Sequence, residues 1–221
     1  MIVVVDYCKG NLKSVERALE SVGATACISA DPRVIASASG IVLPGVGSFA
    51  DARTTMASLG QIEVIRRRIS EGLPFLGICL GMHLMFEEGT EGTRFEDDSV
   101  TNATGLAVLP GVVMQMPRCD ARGSAYKIPH VGWNSIEFEK NSAASKTPLL
   151  QNINSGEYFY FTHSFVAPDS PATLAHTRHS VCFPSVVAYR ETAFGVQFHP
   201  EKSSQAGAQL LRNFVKIVRG A

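Results

Sequence analysis

The sequence predicts an α/β protein with a mostly parallel central sheet flanked by helices and with antiparallel strands added in its C-terminal half. In the first half, short apolar runs alternate with amphipathic stretches at a spacing typical of β-α-β units. In the second half, strand-like runs follow one another, and a helical pattern returns only at the C-terminal end. No repeat or linker interrupts the chain, so we expect one domain over residues 1–221.

The spacing of apolar residues predicts each element of the first half. Residues 2–5 are β-branched, which is typical of a short strand buried on both faces. Leu12, Val15 and Leu19 recur at helical spacing, and Asp31-Pro32 is typical of a helix start. The expected order is strand 2–5, helix 12–22, strand 24–28, helix 32–38, strand 40–43, helix 49–59, helix 62–69, strand 74–78 and helix 80–86.

The second half is less regular. Residues 87–131 are rich in Gly, Thr, Asp and Pro, so we expect long loops with short strands there. Apolar runs predict antiparallel strands that extend the sheet at 133–138, 158–165, 186–189 and 194–198. A final helix begins near Ser203 or Ser204, where an apolar stripe starts.

The composition excludes several classes of function. Lys+Arg and Asp+Glu number 20 each, so the basic excess of a nucleic-acid binder is missing. No apolar run approaches the ~18 residues of a membrane span, and the N-terminus lacks a signal peptide's basic region. We expect a cytoplasmic protein whose five cysteines are reduced. We assign no metal, because His176, His179 and Cys182, the tightest group of possible ligands, lack a fourth.

Gly77-Ile78-Cys79-Leu80-Gly81 has the pattern of a nucleophile turn, since it follows a predicted strand and precedes a predicted helix. In such a turn, a sharp bend exposes the nucleophile above the sheet, and the flanking glycines avoid clashes. The helix start favours a thiolate, and the N–H of Leu80 can stabilise an oxyanion. Taken alone, the pattern fits an ordinary buried cysteine equally well.

A thiol nucleophile also needs a proton shuttle. Of six histidines, His199 is the best candidate because it ends an apolar, strand-like run, and Glu201 can orient its imidazole. Residues 44–48, Pro44-Gly45-Val46-Gly47-Ser48, follow another predicted strand and can turn backbone N–H groups toward a ligand. Because the carboxyl ends of parallel strands meet at one edge of a sheet, we predict one site there.

These motifs resemble those of the class I (triad) glutamine amidotransferases, and the resemblance covers nearly the whole chain. The Cys79 turn is similar to their nucleophile elbow, and His199-Pro200-Glu201 to their His-x-Glu ending, in the same order. Within the class, the chain resembles the glutaminase subunits of imidazole glycerol phosphate synthases. That narrower resemblance rests on Asp6-Tyr7, Gly10-Asn11-Leu12, Ser14-Val15 and the segments 43–49, 129–134, 160–164 and 197–203.

The resemblance implies a flavodoxin-like fold, no cofactor, and a triad of Cys79, His199 and Glu201. This triad hydrolyses L-glutamine through a thioester on the cysteine. The oxyanion would be held by backbone N–H groups of Val46, Gly47 and Leu80, and the glutamine pocket would contain His83, His163 and Ser164.

The same resemblance implies a heterodimer. Ammonia would pass to a cyclase subunit with a (βα)8 barrel, which makes imidazole glycerol phosphate and aminoimidazole carboxamide ribotide in histidine biosynthesis. The interface with that partner would contain Asn11, Trp133, Tyr160 and Lys202.

The chain departs from the family pattern at two places. His83 stands where the family usually has Gln, and Cys8-Lys9 where it usually has small or apolar residues. Two alternatives remain open: the glutaminase of another synthase, for anthranilate or pyridoxal phosphate, and a non-enzymatic flavodoxin-like protein that merely keeps an elbow cysteine. The motifs at 10–12 and 132–134 count against the first, and the terminal His-Pro-Glu against the second.

Overall fold

The protein, a computed structural model, is described for residues 1–96, 99–139 and 142–220. Its strands are β1 (Ile2–Val5), β2 (Ala26–Ser29), β3 (Gly40–Gly45), β4 (Phe75–Cys79), β5 (Phe86–Glu96), β6 (Ser99–Thr104), β7 (Leu109–Gln115), β8 (His130–Ser135), β9 (Tyr158–His163), β10 (Phe165–Val166), β11 (Thr173–Arg178), β12 (Cys182–Tyr189) and β13 (Ala193–Val196). Its helices are α1 (Leu12–Ser21), α2 (Pro32–Ala36), α3 (Phe49–Ser58), α4 (Gln61–Ser70), α5 (Leu80–His83), α6 (Ala143–Lys146) and α7 (Ser204–Gly220). None of the described helices is long and apolar enough to cross a bilayer.

A seven-stranded sheet in the order β11-β12-β13-β4-β3-β1-β2 forms the centre of the molecule. In this spatial order, β2, β1, β3, β4 and β13 form a parallel set. Strand β12 pairs antiparallel with both β13 and β11. This confirms the α/β prediction, with its mostly parallel sheet and antiparallel strands in the C-terminal half. The strand expected to be antiparallel at 194–198 is β13, however, and it runs parallel to β4. The carboxyl ends of β1, β3, β4 and β13 share one edge, where ligands of such sheets bind.

The first strand explains why helices cover both faces of this sheet. Ile2 and Val4 join one buried apolar cluster, and Val3 and Val5 join the other. A strand that is apolar at every position needs cover on both sides. Helices α1 and α7 supply one layer, with Leu19, Leu211 and Phe214, and helices α2 to α4 supply the other, with Ile35, Met56 and Ile65.

The region after the cysteine turn differs from the prediction. Helix α5 ends at His83, not at residue 86, because the chain enters β5 at Phe86. The segment expected to consist of long loops contributes β5, β6 and β7, which form a four-stranded sheet with β10. Its Gly- and Thr-rich sequence lacks a strong apolar alternation, so its pairing depends on distant partners.

The hairpin of β8 and β9 forms a separate two-stranded sheet, so the prediction that these strands extend the central sheet is wrong. The run expected at 158–165 divides at Ser164 between β9 and β10, which belong to different sheets. Phe159 and Phe161 of β9 are buried in the core, while Tyr158 on the other face is 58% exposed. The hairpin therefore has one packed face and one open face.

Candidate active site

Cys79 lies at the carboxyl end of β4 in a backbone conformation that L-residues rarely adopt. Its φ is 54° and its ψ is −108°, and helix α5 starts at the next residue. A residue held in such a region costs of order 1–3 kcal/mol, and this kind of strain is concentrated at functional sites. The sharp strand-to-helix turn predicted from the sequence is present.

The glycines around Cys79 allow this turn to pack against its neighbours. A Cβ on Gly81 would collide with the carbonyl oxygen of Leu43 on β3, and a Cβ on Gly77 would lie 2.5 Å from the carbonyl oxygen of Gly81. Gly45, at the end of β3, faces the Leu80 side chain and the Tyr7 hydroxyl at similarly close range. Side chains at these positions would push the turn away from the sheet.

His199 and Glu201 form a buried hydrogen-bonded pair after β13. His199 Nδ1 lies 2.9 Å from Glu201 Oε1, and the two side chains are 4% and 2% exposed. Burial alone would lower the pKa of His199, but the Cys79 thiol and the Glu201 carboxylate outweigh it and raise the pKa to about 9. His199 Nε2, the ring nitrogen that is not bound to Glu201, makes no hydrogen bond of ordinary geometry, so it is available to exchange a proton.

Backbone hydrogen bonds fix the turn that carries His199. The N–H of His199 donates to the carbonyl of Tyr160 on β9 at 2.9 Å. The Ser203 hydroxyl donates to the carbonyl of His199 at 2.6 Å and accepts from the N–H of Tyr160 at 3.0 Å. The imidazole is therefore anchored to the β8–β9 hairpin.

Two groups that the sequence analysis did not predict contact the sulfur of Cys79. The thiol donates to the carbonyl of Thr162 at 3.8 Å, and the Gln197 side-chain amide donates to the sulfur at 3.8 Å. Gln197 is fully buried although it stands between apolar residues. A buried polar side chain needs a partner, so a glutamine within the apolar segment 194–198 was the available sequence signal.

A cavity of about 370 Å³ opens beside the thiol. It brings together the six residues expected at the oxyanion and the glutamine pocket, namely Val46, Gly47, Leu80, His83, His163 and Ser164. Glu91 also lines the cavity and was not predicted, because it falls in the segment expected to be loop. The volume lies within the range of small-molecule sites.

Glu91 places a partly buried carboxylate in this cavity. Its Oε2 accepts from the N–H of Phe49, at the start of α3, at 3.1 Å. Burial raises the pKa of Glu91, the N–H of Phe49 opposes that shift, and the charge of Asp51 adds to it. Glu91 is therefore a candidate acceptor for a cationic group of the substrate.

Contacts from the opening loop hold the turn at 44–48. The Tyr7 hydroxyl donates to the carbonyl of Pro44 at 2.9 Å, and burial raises the pKa of Tyr7 far above its ordinary value. Lys9 lies against Gly47 and pairs with Asp51 at 3.3 Å. Cys8 is exposed, and its backbone N–H donates to Asp6 Oδ1 at 2.7 Å.

His83 lies at the end of α5, in contact with Gln197. Its Nε2 is 2.7 Å from Gln197 Oε1, and the imidazole is 4% exposed. Burial lowers the pKa of His83 to about 4, against the opposing effect of the Gln197 hydrogen bond. The side chain is therefore neutral at neutral pH.

A chain of hydrogen bonds fixes the tautomer of His163. Its Nδ1 donates to the carbonyl of Phe165 at 2.9 Å, so its Nε2 accepts from His130 Nδ1 at 3.1 Å. His130 Nε2 in turn accepts from the Asn134 amide at 3.2 Å. Burial lowers the pKa of His163 well below its ordinary value, and the nearby imidazoles add to this. Because both ring nitrogens are engaged, His163 forms a neutral wall of the cavity.

Three of the four residues expected at a partner interface lie together on the open face of the hairpin. The rings of Trp133 and Tyr160 are 6.2 Å apart, and Lys202 Nζ lies 5.9 Å from the centre of the Tyr160 ring. Trp133 is 53% exposed. Asn11 is exposed at the N-terminus of α1, outside this group of ring contacts.

Across residues 1–96, 99–139 and 142–220, no group of three or more His, Cys, Asp or Glu side chains suits a metal ion. His176 contacts Asp169, and His179 contacts the carbonyl of Lys127. The group His176, His179 and Cys182 is thus divided between unrelated partners.

Comparison with known proteins decides the family. The model of the family described as glutamine amidotransferase class-I matches residues 3–218. The chain belongs to this family. The elbow cysteine, the His-Glu pair and the cavity therefore occur in a class-I glutamine amidotransferase.

Two full-length relatives of this amidotransferase carry the name imidazole glycerol phosphate synthase subunit HisH. The relative from Geobacillus sp. (strain WCH70) is 41% identical over 222 residues, which cover 100% of this chain and 98% of the relative. The relative from Syntrophotalea carbinolica (strain DSM 2380 / NBRC 103641 / GraBd1) is 39% identical over 216 residues, which cover 97% of this chain and 98% of the relative.

Solved structures agree on the fold. A crystal structure of a glutamine amidotransferase superimposes with a TM-score of 0.69 at 18% identity, covering 99% of this chain and 100% of that chain. The glutaminase domain of Trypanosoma brucei CTPS with bound acivicin gives a TM-score of 0.62 at 16% identity. The superposition covers 99% of this chain and 93% of that chain. At these identities the likeness concerns the fold alone.

Proposed function

We propose that this chain is the glutaminase subunit of an imidazole glycerol phosphate synthase and hydrolyses L-glutamine to glutamate and ammonia. The single observation that carries the chemistry is the buried series Glu201, His199 and Cys79 beside a cavity at the carboxyl edge of the sheet. The full-length relatives at 41% and 39% identity support this synthase rather than one for anthranilate or pyridoxal phosphate. The His199–Glu201 pair counts against a non-enzymatic protein.

Acylation begins with the Cys79 thiolate paired with the His199 imidazolium. The sulfur attacks the side-chain carbonyl carbon of glutamine, a C–S bond forms, and the carbonyl electrons move to oxygen. Backbone N–H groups of Leu80 and of the Val46-Gly47 turn stabilise this oxyanion. His199 Nε2 then gives its proton to the amide nitrogen, the C–N bond breaks, and ammonia leaves a glutamyl thioester.

Deacylation uses the neutral imidazole that acylation leaves behind. His199 Nε2 takes a proton from water as the water oxygen attacks the thioester carbonyl carbon. The C–S bond breaks, the electron pair returns to sulfur, and the new acid loses its remaining proton to solvent as glutamate. Glu201 stabilises the imidazolium at the start and at the end of this cycle.

Glu91, Ser164 and His163 surround the space for the rest of the substrate. The Glu91 carboxylate is suited to the α-ammonium group of glutamine, and Ser164 can donate to its carboxylate. His163 presents its ring, since its nitrogens are already bonded. Charge complementarity at Glu91 makes the site selective for an amino acid.

The open face of the β8–β9 hairpin is the docking surface for a (βα)8-barrel cyclase subunit. Val131, Trp133 and Tyr158 are more than half exposed there, which is unusual for large apolar side chains. Aromatic residues are enriched in protein interfaces. Thr162 of the same hairpin lines the catalytic cavity, so ammonia produced there has a short path to the partner. We assign Lys202 and Asn11 to the same interface.

Residues 1–221 act as one glutaminase domain in the cytoplasm. Both apolar clusters pack on the same central sheet, which supports one folding unit. The five cysteines are unpaired, as suits a reducing compartment.

A partner-dependent assay tests the proposed function. Glutamate release from glutamine is measured with the barrel cyclase, for wild type, Cys79→Ala and Cys182→Ala. Removal of the nucleophile is expected to reduce kcat by about 10⁴–10⁶. Cys182, an exposed thiol at the start of β12, is the matched control and is expected to retain wild-type turnover. Wild-type turnover by Cys79→Ala would refute the assignment.

A further inference from the structure

His83, one of the two places where the sequence departs from the pattern of the family it resembles, lines the cavity beside Cys79. It contacts Gln197, which follows the neighbouring strand β13 and lies 114 positions along the chain, with 2.7 Å between His83 Nε2 and Gln197 Oε1. Both side chains are buried, with 4% of His83 and none of Gln197 exposed. A contact so well shielded from water fixes the orientation of both groups.

The Gln197 oxygen determines which of the two side chains donates in this hydrogen bond. Gln197 Oε1 is a carbonyl oxygen and can only accept, so His83 donates from Nε2–H as the neutral imidazole. The carboxamide is planar, so its NH₂ group then points the other way. Gln197 Nε2 lies 3.8 Å from Cys79 Sγ on that side.

We propose that His83 is a positioning residue that holds the Gln197 carboxamide with its NH₂ group toward Cys79, so that a hydrogen bond reaches the sulfur and strengthens as the thiolate forms. A carboxamide rotated by half a turn would present its oxygen to the thiolate and repel it. His83 thus acts on the nucleophile through Gln197 rather than on glutamine directly. This inference rests on the proposed glutaminase function.

The effect of the His83–Gln197 contact on the Cys79 thiol can be separated from the effects of the other titratable groups around the sulfur. His199, with Glu201 behind it, is the group whose charge changes together with that of Cys79. Tyr7 and His163 stay neutral around neutral pH, because burial raises the pKa of the first and lowers the pKa of the second. A change in thiolate formation on substitution of His83 therefore reports on the Gln197 contact while the His199–Glu201 pair is intact.

The first measurement needs no glutamine. The full chain is alkylated with iodoacetamide over a range of pH, and the Cys79 peptide is quantified by mass spectrometry with the exposed Cys182 as internal reference. For His83→Leu we expect the profile of Cys79 to move to higher pH by about one unit, an about tenfold loss of reactivity on its acid side. For His83→Gln, whose amide N–H can take the place of Nε2–H, we expect a profile within about twofold of wild type.

A double-mutant cycle separates positioning from a local packing defect. Gln197→Leu is expected to shift the alkylation profile as His83→Leu does, and the double variant to shift it no further, since His83 acts only through Gln197. Additive shifts, or an unchanged profile in folded His83→Leu, would overturn the inference. Urea unfolding of each variant establishes that it is folded, and Gln197→Leu carries the test if His83→Leu does not fold.

Kinetics with the cyclase partner provide the second measurement. We expect His83→Leu to lower kcat about tenfold while KM stays within about twofold, as for a group that acts on the nucleophile. A raised KM with unchanged kcat would mean that His83 binds glutamine, and would overturn the inference. Absence of glutaminase activity in the wild type would instead refute the proposed function, and the alkylation measurement tests the inference independently of that activity.

Discussion

In the proposed cycle, each ring nitrogen of the His199 imidazolium faces a negatively charged partner. Nδ1 is bound to Glu201 at 2.9 Å, and the thiol of Cys79 raises the pKa of the imidazole from its other side. The sequence predicted that His199 serves as a proton shuttle oriented by Glu201. The Cys79 thiol and the Glu201 carboxylate raise the pKa of His199 to about 9, so in the proposed cycle the imidazolium is the form of His199 that begins the reaction.

Glu201→Gln is expected to move the alkaline limb of the activity profile. Loss of the carboxylate removes one of the two groups that raise the pKa of His199, so the imidazolium is lost about one unit or more nearer to neutral pH. The pH dependence of kcat/KM, measured with the cyclase partner for wild type and variant, checks this. An alkaline limb that stays in place would contradict a role for Glu201 on His199.

The same shift links the stability of the protein to pH. The pKa of His199 is higher in the folded protein than its ordinary value of 6.5, so its contribution to stability is complete below pH 6.5 and is lost as the pH rises through about 9. Urea unfolding from neutral to alkaline pH is expected to show this decline in wild type and a weaker decline in Glu201→Gln. Equal slopes would contradict the assignment.

Glu91→Gln is expected to affect substrate binding more than chemistry. The exchange keeps the size and the hydrogen bond from Phe49 but removes the charge available to the α-ammonium group. KM for glutamine is expected to rise about tenfold or more with a much smaller change in kcat. An unchanged KM would place the α-ammonium group elsewhere.

The sequence identified Cys79 and His199 because each stands at the end of a predicted strand, and Glu201 because it follows His199 closely enough to orient the imidazole. It missed the roles of Gln197 and Glu91, since the sequence does not identify their partners, which lie in α5 and at the start of α3. It placed His163 at the glutamine pocket; the structure puts His163 in the cavity wall, with Nε2 bonded to His130 and Nδ1 to the carbonyl of Phe165.

The short helix α5 packs closely against strands β3 and β4, and this packing fixes the position of Cys79. The turn at Cys79 lies so close to β3 that only glycine fits at position 81. The apolar runs of β1, β3 and β4 were readable from the sequence because burial on both faces leaves no polar positions. The end of α5 and the pairing of β5 with β7 were not, because both depend on the second sheet.

Gly81→Ala tests this packing. Its Cβ would meet the carbonyl oxygen of Leu43, so the turn must move, and we expect a loss of unfolding free energy of about 3 kcal/mol together with loss of glutaminase activity. Gly220→Ala at the end of α7, where the Cβ has open space, is the control and is expected to leave both unchanged. Urea unfolding measures the difference. Equal stability of the two variants would contradict the close approach.

The β8–β9 hairpin contributes to the expected docking surface and also contacts the segment that carries His199. Tyr160 belongs to the open face through its ring, and its backbone bonds directly to His199 and Ser203. A partner seated on Trp133 and Tyr160 would therefore bear on the segment that anchors the imidazole. The same hairpin thus contacts the catalytic site at the edge of the central sheet and presents the aromatic surface.

Trp133→Ala is expected to weaken cyclase binding by about 30-fold, about 2 kcal/mol, since large aromatic anchors dominate interface energies. The stability of the isolated chain should hardly change, because the side chain is 53% exposed. Met114→Ala, which removes another exposed apolar side chain from the other small sheet, is the matched control. Titration with the cyclase subunit measures both affinities. Equal affinities would place the interface elsewhere.

Trapping the acyl-enzyme tests the central chemistry most directly. The chain and its cyclase partner are mixed with glutamine, quenched in acid during turnover, and digested for mass spectrometry. We predict a glutamyl adduct on the peptide containing Cys79, and its absence in His199→Ala. A glutamyl adduct on any other cysteine, or glutamate release with no adduct on Cys79, would contradict the account.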